Sequence, residues 1–244
     1  MIKAFADVRD TLVPARDGAH GPLPLLLVLL TVVTGLVDAF SYLELSHVFV
    51  ANMTGNVVFL SFAFGGAAGF LWWASVLAVA TFSLGAFIGG TVKSRHGAHR
   101  GRHLLVAVAV QTAAVCASFV VALLMTEPYD QVALVLLITV LGVGMGLQNA
   151  TARALAVPDL STTVLTLTIT GISADSTRAG GSGSRIGRRL VSVASLFLGG
   201  VVGTVLIVAG APAWTLLIAT LLLAVTTAGS WTAARSTAPW TAGR

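Results

Sequence analysis

The 244-residue sequence is 56% hydrophobic and 9% charged, with a mean hydropathy of +0.93. Soluble domains carry about 25% charged residues, so this composition excludes a soluble globular protein and indicates a helical membrane protein. The net charge of +5 does not indicate a nucleic-acid partner, because the basic clusters lie beside hydrophobic runs and not among aromatic residues. One cysteine, Cys116, excludes an intrachain disulfide and a cysteine-based metal site.

Six apolar runs are long enough to cross a membrane, because about 20 helical residues span a hydrocarbon core of roughly 30 Å. They cover residues 23–43, 70–92, 104–125, 131–152, 190–210 and 213–231. Two shorter apolar runs, 47–63 and 157–173, are interrupted by Asn, Gly, Thr, Pro or Asp. The pattern therefore predicts an all-α membrane protein with six transmembrane helices and two short segments that are broken or re-entrant.

The positions of the basic residues predict the orientation. If only the long runs cross, all 14 Lys and Arg lie on one face of the membrane or at its edge, whereas the opposite loops carry Glu127 and Asp130. Basic loops stay in the cytoplasm. If both short runs also crossed, the loop 93–102 would be extracellular, against this rule. We therefore expect both termini in the cytoplasm, with cytosolic tails at 1–22 and 232–244.

The same layout predicts two halves of opposite orientation, 23–125 and 126–231. Each half consists of a span, a short broken segment and two further spans. The third span begins 81 residues after the first in one half (residue 104 against 23) and 82 in the other (213 against 131). Inverted repeats with discontinuous helices are typical of secondary transporters, whose sites lie at the breaks.

An intramembrane carboxylate marks the first half. Asp38 lies late in the first span and shares a helical face with Thr34 and Tyr42. Such carboxylates are costly and usually face a cavity or a partner. Asp38 is therefore a candidate coupling or cation-binding residue, and Tyr42 is a candidate beside it. The alternative is a carboxylate at the outer interface that is only solvated.

The first broken segment supplies four more candidates. Asn52, Thr54, Gly55 and Asn56 interrupt the apolar run, and Asn52 or Thr54 is placed to cap a half-helix. Asn52 and Asn56 are four residues apart and would present two amides on one face. The alternative is a structural clamp, in which the amides bond to neighbouring backbone.

The second broken segment repeats this polar character. Gln148 and Asn149 come near the end of the fourth span, and Asp159 follows Pro158 where it is placed to cap a helix beginning near Leu160. A run of hydroxyl side chains follows. The second-half candidates are Gln148, Asn149, Asp159, Thr162, Thr163 and Thr166. The alternative for the threonines is a bond to their own helix backbone.

Other polar and small residues predict membrane contacts, not chemistry. Arg185, Arg188 and Arg189 would meet anionic lipid at the inner leaflet. Pairs of glycines spaced as GxxxG permit close helix packing and give small-residue faces for oligomerisation. They are Gly85/Gly89, Gly142/Gly146 and Gly199/Gly203. No pattern indicates a metal, a cofactor or a catalytic constellation.

Both broken segments resemble the YoaK-like family of bacterial membrane proteins, a family of unknown function. The similarity lies in the strings 34–39 and 48–56 of the first half. In the second half it lies in 148–150, Arg153 and 157–166. It covers roughly residues 22–230. The resemblance implies an integral protein of about six spans in a bacterial inner membrane, and it implies no substrate.

Three hypotheses follow. The first is a secondary transporter or permease for a small solute or ion, with its site at the two broken segments near the bilayer midplane. The second is a membrane enzyme acting on a lipid, which would need a nucleophile–base pair or a metal site. The third is a non-catalytic scaffold or lipid-binding protein, whose broken segments would pack tightly and leave no cavity.

Overall fold

A computed structural model describes residues 2–15, 18–125, 127–160, 162, 165–174 and 185–243. The predicted site residue Thr163 lies outside these ranges. The described residues form helices and no named strand. The helices are α1 (Ile2–Leu12), α2 (Leu23–Glu44), α3 (Met53–Phe64), α4 (Trp72–His96), α5 (Arg100–Leu124), α6 (Gln131–Leu155), α7 (Leu165–Ala174), α8 (Ile186–Val208) and α9 (Pro212–Ala234).

Six of these helices are long and apolar enough to cross a membrane: α2, α4, α5, α6, α8 and α9. This confirms the predicted spans, each of whose ends lies within four residues of the observed helix end. The helices α3 and α7 have 12 and 10 residues. At about 1.5 Å per residue, α3 and the described part of α7 are too short to cross roughly 30 Å of hydrocarbon, and α3 is a half-helix.

The long helices pack mainly in pairs that join the two halves of the chain: α2 against α8, α4 against α6, and α5 against α9. Glycines permit the close approach. A Cβ atom at Gly35 of α2 would overlap the carbonyl oxygen of Leu196 in α8, and one at Gly146 of α6 would overlap that of Phe82 in α4. The six glycines of the GxxxG pairs are all buried. They have a role inside the chain, and oligomerisation through them stays a prediction.

Arg100 joins distant segments at one end of the bundle. Its guanidinium donates hydrogen bonds to the carbonyl oxygens of Leu155, at the end of α6, and of Trp240, at 3.3 Å, and it contacts His20 just before α2. Both tails therefore pack against this end. The sequence did not predict that the N-terminal tail forms a helix, α1, which packs on α8 and buries Thr11 completely.

A buried polar chain links three spans in the interior. The Gln111 side chain of α5 donates to the Gln148 amide oxygen of α6 at 2.5 Å, and Gln148 donates to the Thr34 hydroxyl of α2 at 2.8 Å. Thr34 in turn donates to the carbonyl oxygen of Leu30 at 3.0 Å. All three side chains are fully or almost fully buried. Gln148 therefore belongs to helix packing, because both of its amide groups are used there.

Candidate functional site

The first break consists of residues 45–52, between α2 and α3. Its chain turns at Ser46 and His47, both with a φ of 60°. Left-handed backbone is strained for residues other than glycine, and such strain persists only where the surroundings impose it. Within a membrane the polar groups of this non-helical backbone also need partners.

Asn56 supplies two of those partners. Its amide oxygen accepts a hydrogen bond from the Phe49 N–H at 2.9 Å, and its amide nitrogen donates to the Phe49 carbonyl oxygen at 2.5 Å. The side chain is fully buried. Asn56 thus pairs with both backbone groups of Phe49, as a residue of a neighbouring β-strand would. For Asn56 this is the structural clamp that the sequence left open as the alternative to a binding role.

Asp38 supplies the next partner. One carboxylate oxygen accepts a hydrogen bond from the Ala51 N–H at 3.0 Å, and the Val50 N–H also donates to this carboxylate. Asp38 is half-buried and lies six residues before the end of α2, which is about 9 Å along the helix axis. The first break therefore descends to the depth of this carboxylate before α3 begins.

Aromatic rings and one glycine fix α3 against the break. Tyr42 stacks on Phe49 at a centroid distance of 4.9 Å, and Phe59 packs on both rings at 5.7 Å. A Cβ atom at Gly55 would lie 2.8 Å from the Phe49 ring. Gly55 therefore permits the close approach of α3 to the Phe49 ring, and it has no side chain that could bind a solute. Asn52 stands at the N-cap position of α3 but makes no side-chain capping bond.

A cavity of about 550 Å³, here called the central cavity, lies between the two halves of the chain. The first half contributes Asp38, Asn52 and Thr54, and the second half contributes Asn149 and Thr166. The remaining described lining residues are Ala51, Met53, Gly55, Val58, Phe59, Phe82 and Leu196. Asp38 carries the one formal charge in this described lining.

The second break follows α6 and consists, in its described part, of residues 156–160 and Thr162. Ala156 and Asp159 have φ values of 47° and 62°, so this break also turns at two residues other than glycine. Arginines at the start of α8 hold it. Arg188 donates to the Pro158 carbonyl oxygen at 3.1 Å, and Arg189 forms an ion pair with Asp159 at 2.6 Å.

Two predictions about this region are wrong. Asp159 does not cap a helix near Leu160, because its carboxylate is turned to Arg189 and the next described helix, α7, begins at Leu165. Arg188 and Arg189 are turned to the break, whereas lipid contact by the exposed Arg185 stays a prediction. Arg188 is only 5% exposed and also donates to the Thr11 hydroxyl. The physical reason is that the Pro158 carbonyl and the Asp159 carboxylate are acceptors within reach of the two guanidinium groups.

A second cavity of about 380 Å³, the arginine cavity, lies beside this break. Its lining includes Arg153, Asp159, Thr162 and Arg189, together with Asn149. Asn149 therefore lines both the arginine cavity and the central cavity. Thr162 is buried, and its hydroxyl has no hydrogen-bond partner among the residues that the structure describes.

A third space, the lateral groove, has a volume of about 610 Å³ and lies between α2 and α8. Asp38 and Asn52 line it as well as the central cavity, and Tyr42 lines it beside them. Its other walls are mainly apolar.

The structure thus brings half of the predicted site residues together at one cavity. Asp38, Asn52, Thr54, Gly55, Asn149 and Thr166 border the central cavity. Tyr42 borders the groove, Asp159 and Thr162 border the arginine cavity, and Asn56 and Gln148 serve packing. Sequence reasoning missed Arg189 as the partner of Asp159, since 30 positions separate them.

Comparison with known proteins supports the predicted resemblance. A family model described as "Protein of unknown function (DUF1275)" matches residues 26–229. The UPF0700 transmembrane protein YoaK of Bacillus subtilis (strain 168) is 32% identical over 155 residues, which are 62% of this chain and 65% of that protein. The aligned region thus spans slightly less than two thirds of this relative. No solved structure matches the chain.

The matched region runs from α2 into α9 and includes both breaks. The chain therefore belongs to the family described as protein of unknown function (DUF1275), and it is a membrane protein with six apolar helices of spanning length.

Proposed function

We propose that this protein is a secondary transporter or permease for a small solute, and that the central cavity is the solute site. The observation that carries the proposal is the shared lining: Asn52 and Thr54 come from one half of the chain, and Asn149 and Thr166 come from the other. Broken helices around a polar site between two halves are the usual arrangement in secondary transporters. The volume of about 550 Å³ lies in the range of small-molecule sites.

The position of Asn149 supports a path through the protein. It lines the central cavity and also the arginine cavity, which lies at the end of the bundle where Arg100 joins both tails. A solute that moves from one cavity to the other passes this side chain. The ion pair between Asp159 and Arg189 stands in the wall of the second cavity, so its opening would widen that route.

Asp38 is the coupling or cation-binding group of the proposal. It is the one formal charge in the described lining of the central cavity, and its backbone donors hold the carboxylate in place. A cation entering the cavity, or a proton taken up by the carboxylate, would neutralise it. Such coupling would explain why a carboxylate is kept inside the membrane although its burial is costly.

The central cavity also distinguishes a transporter from the main alternative, a non-catalytic scaffold or lipid-binding protein. A scaffold would pack its broken segments tightly, because an empty polar space in a membrane gains nothing for stability. The central cavity lies where that packing would be, which favours transport over a scaffold.

The proposal includes an inverted pair of repeats, with both termini in the cytoplasm of a bacterial inner membrane. Two features support it. The packing of α2 on α8 is repeated by that of α6 on α4 when the halves are exchanged, and the basic residues lie on one side. Cysteines placed singly in loop 97–99 and in loop 65–70 of a Cys116→Ser protein should be labelled from opposite sides of intact cells. Labelling of both from outside would overturn this orientation.

The test of function is the variant Asp38→Asn. Purified protein is first screened against a panel of small solutes for thermal stabilisation, and each stabilising solute is then measured for uptake into proteoliposomes. Asp38→Asn should abolish uptake and its pH dependence without unfolding the protein, because an amide oxygen still accepts the Ala51 N–H. Glu44→Gln, outside the described cavity lining, is the matched control and should transport normally. Normal uptake by Asp38→Asn would overturn the role of Asp38.

A further inference from the structure

The lateral groove and the central cavity meet at a charged residue. Asp38 and Asn52 line both spaces. On one side of Asp38 the lining includes amides and hydroxyls from both halves, among apolar residues. On the other side the walls of the groove are apolar and belong to α2 and α8. The carboxylate of Asp38 therefore stands between a space that contains polar groups of both halves and a groove whose other walls are mainly apolar.

The outer walls of the groove face the surroundings of the bundle. Leu43 on α2 is 45% exposed, and Phe197 and Val205 on α8 are 66% and 61% exposed. On spanning helices such side chains contact lipid. The groove is therefore open toward the hydrocarbon of the bilayer.

Gly200 keeps the groove open. A Cβ atom at this position would meet nothing closer than the Gly35 carbonyl oxygen at 4.0 Å. The absence of a side chain at Gly200 is therefore not required for helix packing, in contrast to Gly35, whose Cβ would overlap α8. A larger side chain at Gly200 would instead extend into the groove that this residue lines.

We propose that the solute is an amphiphilic cation that enters from the bilayer, with its cationic head at Asp38 and its apolar tail along the lateral groove. The proposal rests on the proposed function, whose solute class it names. Charge complementarity selects the head, because Asp38 is the one formal charge in the described lining of both spaces. The apolar walls select the tail, since a hydrocarbon chain loses no hydrogen bonds there.

The test measures binding of octyltrimethylammonium to the full chain in nanodiscs of phosphatidylcholine, a lipid without net charge. Tetramethylammonium tests the head alone, and octyl sulfate tests the opposite charge on the same tail. Empty nanodiscs correct for partition into lipid. The variants are Asp38→Asn and Gly200→Leu, with Gly90→Leu as the matched control, because a Cβ at Gly90 of α4 also meets nothing within 4 Å.

We expect saturable binding of octyltrimethylammonium and none of octyl sulfate. Asp38→Asn should weaken binding of both cations by about tenfold or more, because the quaternary ammonium head loses the Coulombic attraction of the carboxylate. Gly200→Leu should weaken octyltrimethylammonium by about tenfold, the equivalent of two methylene groups displaced from the groove. It should leave tetramethylammonium unchanged, and Gly90→Leu should change neither. Val201→Trp, on the exposed wall of the groove, replaces Gly200→Leu if that variant does not fold.

Two results would overturn the inference. Equal binding of octyl sulfate would show that the charge is not recognised. Unchanged octyltrimethylammonium binding in both groove variants would show that the groove holds only bilayer lipid. If either of these binding results is found but Asp38→Asn still abolishes uptake of another solute, the transporter proposal stands while this inference fails. If uptake and cation binding are both indifferent to Asp38, both fail.

Discussion

The first break is held by a carboxylate and an amide, whereas the second is held by arginines. In the first, Asp38 and Asn56 accept the backbone N–H groups of Ala51 and Phe49. In the second, Arg100 and Arg188 donate to the carbonyl oxygens of Leu155 and Pro158.

The difference lies in the backbone groups that these side chains satisfy. The N–H groups satisfied in the first break belong to Phe49 and Ala51, which precede α3 and are not part of any helix. The carbonyl satisfied by Arg100 belongs to the end of α6, where carbonyl groups are left over. The first break is therefore stabilised by oxygen acceptors and, at the Phe49 carbonyl, by one amide donor, whereas the second is stabilised by arginine donors.

The largest expected effect separates the two asparagines of the first break. Asn56→Leu leaves the N–H and carbonyl of Phe49 without partners, and each unsatisfied buried group costs about 1–3 kcal/mol. We expect a loss of about 2–5 kcal/mol in the free energy of unfolding, measured by steric trapping in bicelles. Asn52→Leu is the control, because Asn52 is exposed and makes no capping bond. Equal losses in both variants would contradict the clamp.

A smaller effect is expected at the second break. Arg189→Gln leaves the Asp159 carboxylate without its ion pair, and the two side chains are only 13% and 19% exposed. Breaking a largely buried pair should cost about 2–3 kcal/mol by the same measurement. Arg185→Gln, at an exposed position just before α8, should cost almost nothing.

A double-mutant cycle sharpens this result. If Arg189 acts through Asp159, the loss in Asp159→Asn/Arg189→Gln should be clearly smaller than the sum of the two single losses. Additive losses would mean that the arginine stabilises the break by other contacts.

The smallest expected effect concerns Gly55. Gly55→Ala would place a methyl group 2.8 Å from the Phe49 ring, which is itself fixed by Tyr42 and Phe59. The resulting shift should cost about 1 kcal/mol, so Gly55→Ala should gain about 1 kcal/mol less than Gly90→Ala. Gly90→Ala is the control, because the added methyl group is free of contacts there and raises helix propensity by about 1 kcal/mol. A gain in stability in both variants would remove the steric reason for glycine in the first break.

Hydropathy and charge predicted the six spans because these depend on sums over 20 residues. The breaks could be located because Asn52, Asn56 and Pro158 interrupt runs that are otherwise apolar. The roles of individual residues were less predictable. Helical spacing treated Asn52 and Asn56 as equivalent, but Asn52 lies at the helix start while Asn56 faces backbone seven residues before it.

Contacts between distant positions could not be predicted from local pattern. The partner of Asp159 lies on α8, and the partners of Gln148 lie on α2 and α5. Their pairing depends on how the halves interlock, for which the sequence offers only the glycine spacing. The arginines illustrate the limit, since a basic cluster near a membrane predicts lipid contact unless a buried acceptor is known.

The interlocked pairing of the spans has a consequence for biogenesis. During synthesis α2 leaves the ribosome long before α8, and α4 before α6, so the early helices enter the bilayer without their main neighbours. Thr34 and Gln111 then lack Gln148, the side chain that later joins them. The first half on its own should therefore be a substrate for membrane quality control. Its degradation should slow when residues 130–244 are co-expressed as a second chain, and equal half-lives with and without that chain would show that each half matures independently.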